Sequence, residues 1–210
     1  MSMTRRTIGG LGAVLLCCAV LGAQAQAKAP DALIKEATTD VLDAVKADKS
    51  IRAGDIRKVI ALVDQKVLPY VDFQRMTASA VGRYWRQATP EQQKRLQEEF
   101  KLLLVRTYSG ALSQVSAEQT VELKPMRSAP TDNEVVVRTE IKGKGDPIQL
   151  DYRLEKSGDS WKIYDVNVLG VWLVENYRNS FAQEIGANGI DGLIAKMAER
   201  NKSAAAAAKS

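Results

Sequence analysis

The sequence offers few side chains that could carry acid–base or nucleophilic chemistry. Its 210 residues include no His and only two Cys. Without His, the usual catalytic triads, imidazole proton shuttles and His-based metal sites are excluded. The remaining candidates are three acids, Asp151, Glu155 and Asp165. Asp165 lies in the least regular predicted strand, where a catalytic role and a structural hydrogen bond would account for it equally well.

A paired-carboxylate site needs one acid whose pKa is raised by its surroundings. Asp151 and Glu155 fall on the polar side of an alternating segment, and we expect that side to face water. The run Gly143-Lys144-Gly145 is typical of a hairpin turn and not of a phosphate-binding loop. We therefore predict no catalytic residue, no metal site and no cofactor, and expect that the protein is not an enzyme.

Residues 1–25 have the organisation of a secretory signal peptide. Arg5 and Arg6 precede an uncharged apolar run, and the small residues around Ala25 suit cleavage near 25–27. The apolar run is shorter than the ~20 residues that a membrane-spanning helix needs, which disfavours a retained anchor. Cleavage would also remove both cysteines, so disulfides and thiolate chemistry are excluded from the mature protein.

Charge is spread evenly along the rest of the chain. Two of the 30 basic residues lie in the predicted signal peptide, so the mature chain keeps 28 basic residues against 25 acidic ones. This small positive excess, without a basic cluster, argues against nucleic-acid binding. It still favours weak approach to anionic membrane surfaces.

Along the chain, helices are predicted both before and after a group of strands. Apolar residues that recur every three to four positions predict helices over 31–47, 54–68, 73–81, 90–115, 171–185 and 190–200. Asp72 is the predicted N-cap of the third helix, and Gly82 ends it. Thr89 and Gln92 form a capping box at the start of the fourth helix. Pro69 is expected to end the second helix.

Between these helices the apolar period changes from 3.6 to 2, which indicates β-strands. The strands are predicted over 121–123, 135–141, 148–155 and 161–168. Short turns join them, which predicts an antiparallel meander with one apolar face. In the last strand, Tyr164, Val166 and Val168 are predicted to share a face.

The order of elements predicts a single α+β domain over residues 28–202. Its sheet is expected to be antiparallel, curved and four-stranded or slightly larger, with helices on one face. The alanine-rich tail, 203–210, is predicted to be disordered. Apolar residues from the sheet and at least three helices converge on one interior space. Apolar stripes usually form a packed core, which is the favoured interpretation, but a hollow core would give the same pattern, so the residues alone leave open whether a ligand binds there.

Two segments of the chain resemble a known family. The first comprises 68–76, Trp85-Arg86, Thr89-Pro90-Glu91-Gln92, Phe100 and 103–108, and the second comprises 164–171, Asn176-Tyr177-Arg178 and Phe181. Their order and spacing resemble the MlaC, or toluene-tolerance, family of periplasmic phospholipid carriers, over nearly the whole mature chain. The resemblance implies an NTF2-like fold that encloses a deep apolar pocket for the acyl chains of a glycerophospholipid. One departure is Trp172, at a position that is often Ser in the family, which affects pocket shape or a partner contact.

The resemblance implies a monomeric carrier in the periplasm. It would shuttle phospholipid between an outer-membrane MlaA–porin-type complex and an inner-membrane MlaFEDB-type ABC transporter complex, and so maintain outer-membrane lipid asymmetry. Three alternatives stay open: a carrier of hopanoids or another hydrophobic molecule, an NTF2-like enzyme acting on a hydrophobic substrate, and a non-binding adaptor of an envelope complex. The adaptor alternative predicts a filled core without a cavity of lipid size.

Strand parity and the matched motifs together select the residues expected to line the acyl pocket. These are Tyr70, Phe73, Met76, Val81, Trp85, Leu103, Tyr108, Val137, Ile141, Leu150, Tyr152, Leu154, Val166, Val168 and Val171. For each of them a packing role without ligand contact is an equal alternative. The headgroup is expected to stay in water at the mouth, where Arg83, Arg86 or Arg153 could meet its phosphate.

Overall fold

Helices precede and follow a five-stranded sheet in the computed structural model, which describes residues 28–126 and 131–207. The helices are α1 (Pro30–Ala47), α2 (Lys49–Arg52), α3 (Ile56–Leu62), α4 (Phe73–Val81), α5 (Pro90–Tyr108) and α6 (Leu173–Ala207). The strands are β1 (Thr120–Leu123), β2 (Glu134–Lys142), β3 (Ile148–Ser157), β4 (Ser160–Val168) and β5 (Val171–Trp172). This order confirms the predicted α+β class. The predicted signal peptide lies outside the described residues.

The sheet is an antiparallel meander in which the strands lie side by side in chain order. Its first four strands correspond to the four predicted from sequence, and the two-residue β5 adds a short fifth strand. The tight turn before β5 has Leu169 and Gly170 at positive φ, 52° and 89°. Positive φ is uncommon for a residue with a side chain, so this turn constrains the backbone at the end of β4.

A β-bulge in β4 determines which of its side chains face the helices. The register between β3 and β4 shifts after the pair Arg153–Asp165, and the shift leaves Tyr164 without a partner residue. Ile163 and Val166 therefore both face the core, while Tyr164 lies on the outer face of the sheet. The prediction that Tyr164 shares a face with Val166 was wrong, because the bulge interrupts the alternation.

The chain after α3 departs from a regular α-helix. The helix predicted over 54–68 is α-helical only through Leu62. Val63–Val67 form one π-helical turn, called the π segment below, and Leu68–Tyr70 form a 3₁₀ turn. Pro69 lacks a backbone N–H, so an α-helix cannot extend through this point without losing a hydrogen bond. Single π turns are rare and often occur at functional sites.

The two longest helices differ from the predictions at their ends. Thr89 and Gln92 form the predicted capping box of α5, but this helix changes to a 3₁₀ turn over Ser109–Gln114. The two predicted C-terminal helices form one element, α6, which is broken at Gly189 with φ 72° and ψ −179°. The helix continues to Ala207, into the tail for which disorder was predicted, in keeping with the high helix propensity of alanine.

Three hydrophobic clusters hold the elements together. In the first, α4, α5 and α6 pack around Phe100, whose ring centroid lies 5.1 Å from that of Tyr177 and 5.2 Å from that of Phe181. The second packs α1 against β2, β3 and β4 around the fully buried Ile34. The third joins α1, α2, α3 and α5 around Val45. The candidate site occupies the space between these clusters.

Candidate functional site

Two apolar cavities lie side by side in the interior. The helical cavity, of about 250 Å³, is enclosed mainly by α1, α3, α4, α5 and β4. The sheet cavity, of about 240 Å³, lies between α1 and the inner faces of β2, β3 and β4. Val41, Val67, Leu112 and Val168 line both cavities. These four shared residues come from four different elements and mark where the two cavities adjoin, called the constriction below.

Aliphatic and aromatic side chains form most of both walls. The helical cavity is further lined by Val59, Leu62, Val63, Leu68, Val71, Phe73, Met76, Lys101, Leu104, Val105, Tyr108, Ser109, Val166 and Leu173. The sheet cavity is further lined by Ile34, Ala37, Thr38, Leu42, Lys66, Tyr70, Ala111, Val115, Gln119, Ile141, Ile148, Leu150, Tyr152 and Ile163. Together the two volumes fall within the ~300–1,000 Å³ of sites that bind small molecules. Walls of this composition suit a hydrocarbon ligand.

Most residues predicted to line an acyl pocket lie at one of these cavities. Phe73, Met76, Tyr108 and Val166 line the helical cavity. Tyr70, Ile141, Leu150 and Tyr152 line the sheet cavity, and Val168 lines both. The structure thus brings together residues from the 68–76 motif, the long helix and three strands, although they are far apart in the sequence.

The other residues predicted for the pocket are Val81, Trp85, Leu103, Val137, Leu154 and Val171. The first three pack in the cluster between α4, α5 and α6. Val137 and Leu154 are fully buried beneath α1, because strand parity determines the face of a residue but not whether that part of the face is packed. Val171 is 48% exposed, so the expectation that it points inward was wrong.

The residues at the constriction, apart from Val168, were not among those predicted to line a pocket. Val41, Val67 and Leu112 do lie on the apolar stripes from which helices were predicted. A stripe is the same signal for a cavity wall and for a packed core, so it could not select them.

The three arginines predicted to meet a headgroup lie away from both cavities. Arg83 and Arg86 line a separate surface depression together with Arg178, and Nη2 of Arg83 donates to the hydroxyl of Tyr84 at 2.9 Å. Arg153 lies on the outer face of the sheet. Arg86 belongs to a segment that resembles the family, but the fold places none of the three arginines on the wall of either cavity.

Arg153 connects β3 to the beginning of α6. Its Nη1 lies 3.1 Å from Oδ2 of Asp165 and 3.2 Å from Oε1 of Glu175. Its guanidinium carbon lies 3.9 Å from the ring centroid of Trp172. Since Trp172 is not among the residues that line the cavities, this departure from the family pattern affects the outer face of the sheet and not the cavity shape.

Asp165 has a structural role at the start of α6. It is 1% exposed, and its Oδ1 accepts hydrogen bonds from the backbone N–H of Val166 at 2.9 Å and of Val174 at 3.1 Å. Burial raises the pKa of Asp165, and the two N–H groups and the Arg153 guanidinium offset part of that rise. Because every described contact of this carboxylate is structural and it lines neither cavity, the hydrogen-bonding interpretation accounts for it.

Asp151 is buried, at 5% exposure, although its side of the strand was expected to face water. It lies between its register partners Arg138 and Asn167, and its Oδ2 accepts a hydrogen bond from Nε2 of Gln149 at 2.8 Å. The expectation was wrong here because parity does not tell whether neighbouring side chains cover a position. Among the described residues, no group of three or more His, Cys, Asp or Glu is arranged to hold a metal ion.

Few polar groups reach the cavities. The hydroxyl oxygens of Thr38 and Tyr152 lie 3.3 Å apart in the sheet cavity, and burial raises the pKa of Tyr152 and so keeps its hydroxyl neutral. Lys66 lines the sheet cavity and Lys101 lines the helical cavity. Across residues 28–126 and 131–207, no helix combines the length and the apolar character needed to cross a membrane.

Known proteins are similar to this chain in sequence. The sequence profile of the MlaC protein family matches residues 35–199. Toluene tolerance protein ttg2D of Pseudomonas putida is 28% identical over 185 residues, which cover 85% of this chain and 86% of that protein. The intermembrane phospholipid transport system binding protein MlaC of Haemophilus influenzae is 26% identical over 172 residues, which cover 80% of each.

A solved structure extends the similarity to three dimensions. The phospholipid-binding protein of Ralstonia solanacearum, solved in complex with a phospholipid, is 49% identical and superimposes with a TM-score of 0.80. The alignment covers 83% of this chain and 98% of that one. With a family profile that spans most of its length, the chain belongs to the MlaC family.

Proposed function

We propose that the protein binds a glycerophospholipid by its acyl chains and carries it through the periplasm. The observation that carries this proposal is the pair of adjoining apolar cavities, whose walls contain only a few polar side chains. It is supported by the 49% identical relative, which is described as a phospholipid-binding protein in complex with a phospholipid.

The physical need for such a carrier follows from hydrocarbon hydration. Each CH₂ exposed to water costs ~0.8 kcal/mol, so two ordinary acyl chains cost on the order of 20 kcal/mol. A carrier has to hide both chains, which requires apolar space and no catalytic group. Because the chains leave one apolar environment for another, transfer between bilayer and carrier is close to neutral. Direction then has to come from partner proteins and from ATP hydrolysis elsewhere.

The division of the interior favours flexible chains over a rigid ligand. Two adjoining cavities of similar volume suit a lipid with two acyl chains, one chain entering each cavity. A rigid polycyclic hopanoid would have to lie across the constriction at Val41, Val67, Leu112 and Val168, whereas a flexible chain can bend at it. The enzyme alternative would need a reactive group at the ligand, and the buried Asp165 is engaged elsewhere.

We further infer the two ends of the transport route from family membership. The protein would act as a monomer between an outer-membrane MlaA–porin-type complex and an inner-membrane MlaFEDB-type ABC transporter complex, and so support outer-membrane lipid asymmetry. The Haemophilus influenzae relative is a binding protein of an intermembrane phospholipid transport system, which supports this route.

Lipid extraction tests the proposal. Protein purified from the periplasm should begin near residues 26–28 and release phospholipid on organic extraction, identified by mass spectrometry. Delipidated protein should reload from phospholipid vesicles. Leu112→Trp at the constriction should lower the lipid content, whereas Leu169→Trp, the same change at an exposed position, should not. Preparations that are lipid-free and cannot be reloaded would contradict the proposal.

A further inference from the structure

Each apolar cavity has one charged residue on its described wall, and in both cases it is a lysine. Lys66 lines the sheet cavity and Lys101 lines the helical cavity. Their side chains are 46% and 25% exposed. A lysine can line an apolar wall with its methylene stem while its ammonium group reaches water. The two lysines therefore mark where the cavities open to solvent.

Both openings adjoin the π segment, Val63–Val67. Lys66 belongs to this segment, and its Nζ lies 3.6 Å from Oδ2 of Asp40 on α1. Lys101 lies on α5, and its Nζ donates to Oδ1 of Asp64, also in the π segment, at 2.7 Å. Val67 of the same segment lines both cavities. A molecule with one apolar arm in each cavity would therefore have the junction of its arms at the π segment.

We propose that Lys66 and Lys101 bind the phosphate of the lipid, which rests against the π segment. This inference rests on the proposed function and specifies where the headgroup lies. An ammonium group donates strong hydrogen bonds to a phosphate oxygen and acts as a point charge. Such a site recognises the phosphodiester that all glycerophospholipids share, and not the alcohol attached to it.

The present partners of the lysines do not oppose this role. Asp40 and Asp64 are both well exposed, and exposed ion pairs contribute little to stability. A phosphate held in place by two buried acyl chains has a high effective concentration at the opening, so it competes well with an exposed carboxylate. The lysines thus exchange an acidic partner for the phosphate when the lipid enters.

Calorimetric titration of soluble short-chain lipids tests the assignment. Delipidated wild type and a Lys66→Gln/Lys101→Gln variant are titrated with dioctanoyl phosphatidylcholine and with dioctanoylglycerol, which has the same chains but no phosphate. The variant should bind the phospholipid on the order of tenfold more weakly and the diacylglycerol equally well. Arg83→Gln/Arg86→Gln, which removes the same charge elsewhere, should bind both like wild type, and Lys66→Arg/Lys101→Arg should retain phospholipid binding.

The outcomes separate this inference from the carrier function. If the glutamine variant binds both lipids like wild type, the lysine site is overturned while the carrier stands. An equal loss of both lipids also overturns it, because a phosphate contact cannot affect diacylglycerol. If wild type binds neither lipid, the proposed function itself fails. Inorganic phosphate at matched ionic strength should not displace the phospholipid, and displacement would assign the lysines to free phosphate instead.

Discussion

Leu150→Trp and Leu154→Trp form a paired test of the sheet cavity. Both residues lie on β3 with their side chains on the inner face of the sheet, and both undergo the same change. Leu150 lines the sheet cavity. Leu154 is 0% exposed in the packed cluster beneath α1 and lines neither cavity. The pair thus compares a cavity wall with a packed core on the same face of one strand. Tyr152 lies between the two positions on that face.

The added bulk should have opposite consequences at the two positions. An indole at position 154 has to displace its neighbours, and overpacking of this kind costs ~1–3 kcal/mol. In a domain of this size that loss lowers Tm by roughly 2–12 °C. At position 150 the cavity of about 240 Å³ accepts the extra atoms. The Tm of the empty protein should then change by less than about 2 °C, while the lipid loses its space.

Tm is measured by calorimetry on delipidated samples, since bound lipid raises the apparent stability by mass action. Lipid content is measured separately by extraction and mass spectrometry of protein from the periplasm. Leu150→Trp should carry less lipid at an unchanged Tm, and Leu154→Trp should lose Tm. A large loss of stability in Leu150→Trp with its lipid content preserved would show that Leu150 belongs to the core. The sheet cavity would then not be a wall of the lipid site.

Further predictions concern the polar and backbone features around α6. Asp165→Ala removes the acceptor for the N–H of Val174 and for Arg153, so urea unfolding should show a free energy of unfolding that is lower by about 1–3 kcal/mol. Asp165→Asn keeps an acceptor oxygen and should show a smaller loss. A lipid-converting activity abolished by Asp165→Asn would contradict the carrier function. Because burial raises the pKa of Asp165, its folded form binds the proton more tightly than its unfolded form, so this group favours folding most below pH ~4 and less as pH rises through the raised pKa. The stability of wild type relative to Asp165→Asn should therefore decrease between pH 4 and pH 7, and an increase would refute this origin. Gly189→Ala should destabilise the protein by about 1–3 kcal/mol, because residue 189 has a φ of 72°. Gly186→Ala lies in open space within the same helix and should stabilise the protein by up to about 1 kcal/mol. Equal effects of the two changes would mean that the break in α6 imposes no strain.

Strand parity predicted much of the sheet from the sequence, but not the local irregularity that positions its side chains. Leu150 and Tyr152 face the helices as alternation indicates. Tyr164 does not follow the pattern, because a bulge adds one residue to β4 and its position depends on pairing with β3. Asp151 lies on the predicted face but is covered by its surroundings. Both differences depend on the neighbouring strands, and the alternation of one segment gives no information about them.

The apolar residues of the site were predictable, whereas the hollow between them was not. Val41 and Val45 occupy the same apolar stripe of α1, one turn apart, and are the same type of residue. Val41 lines both cavities, while Val45 is fully buried in a packed cluster. The difference depends on what α3, α5 and the sheet place opposite each residue. For the same reason the sequence analysis named Arg83 and Arg86 for the headgroup and did not name Lys66, whose place on the wall of the sheet cavity depends on the surrounding elements.

The edges of the sheet limit how other chains can engage this protein. Within the described residues, one edge is the four-residue β1, against which α1 packs, and the other ends in the two-residue β5. Where β4 extends beyond β5, Val71 bridges to Ile163, and the N–H of Asp72 donates to the carbonyl of Ile163 at 2.8 Å. Long unpaired edges are where sheets recruit strands from other molecules. Among the described residues the edge strands β1 and β5 are short and this part of β4 is occupied, so little of their backbone is available for strand addition. At these edges, recognition by another chain has to proceed through side chains.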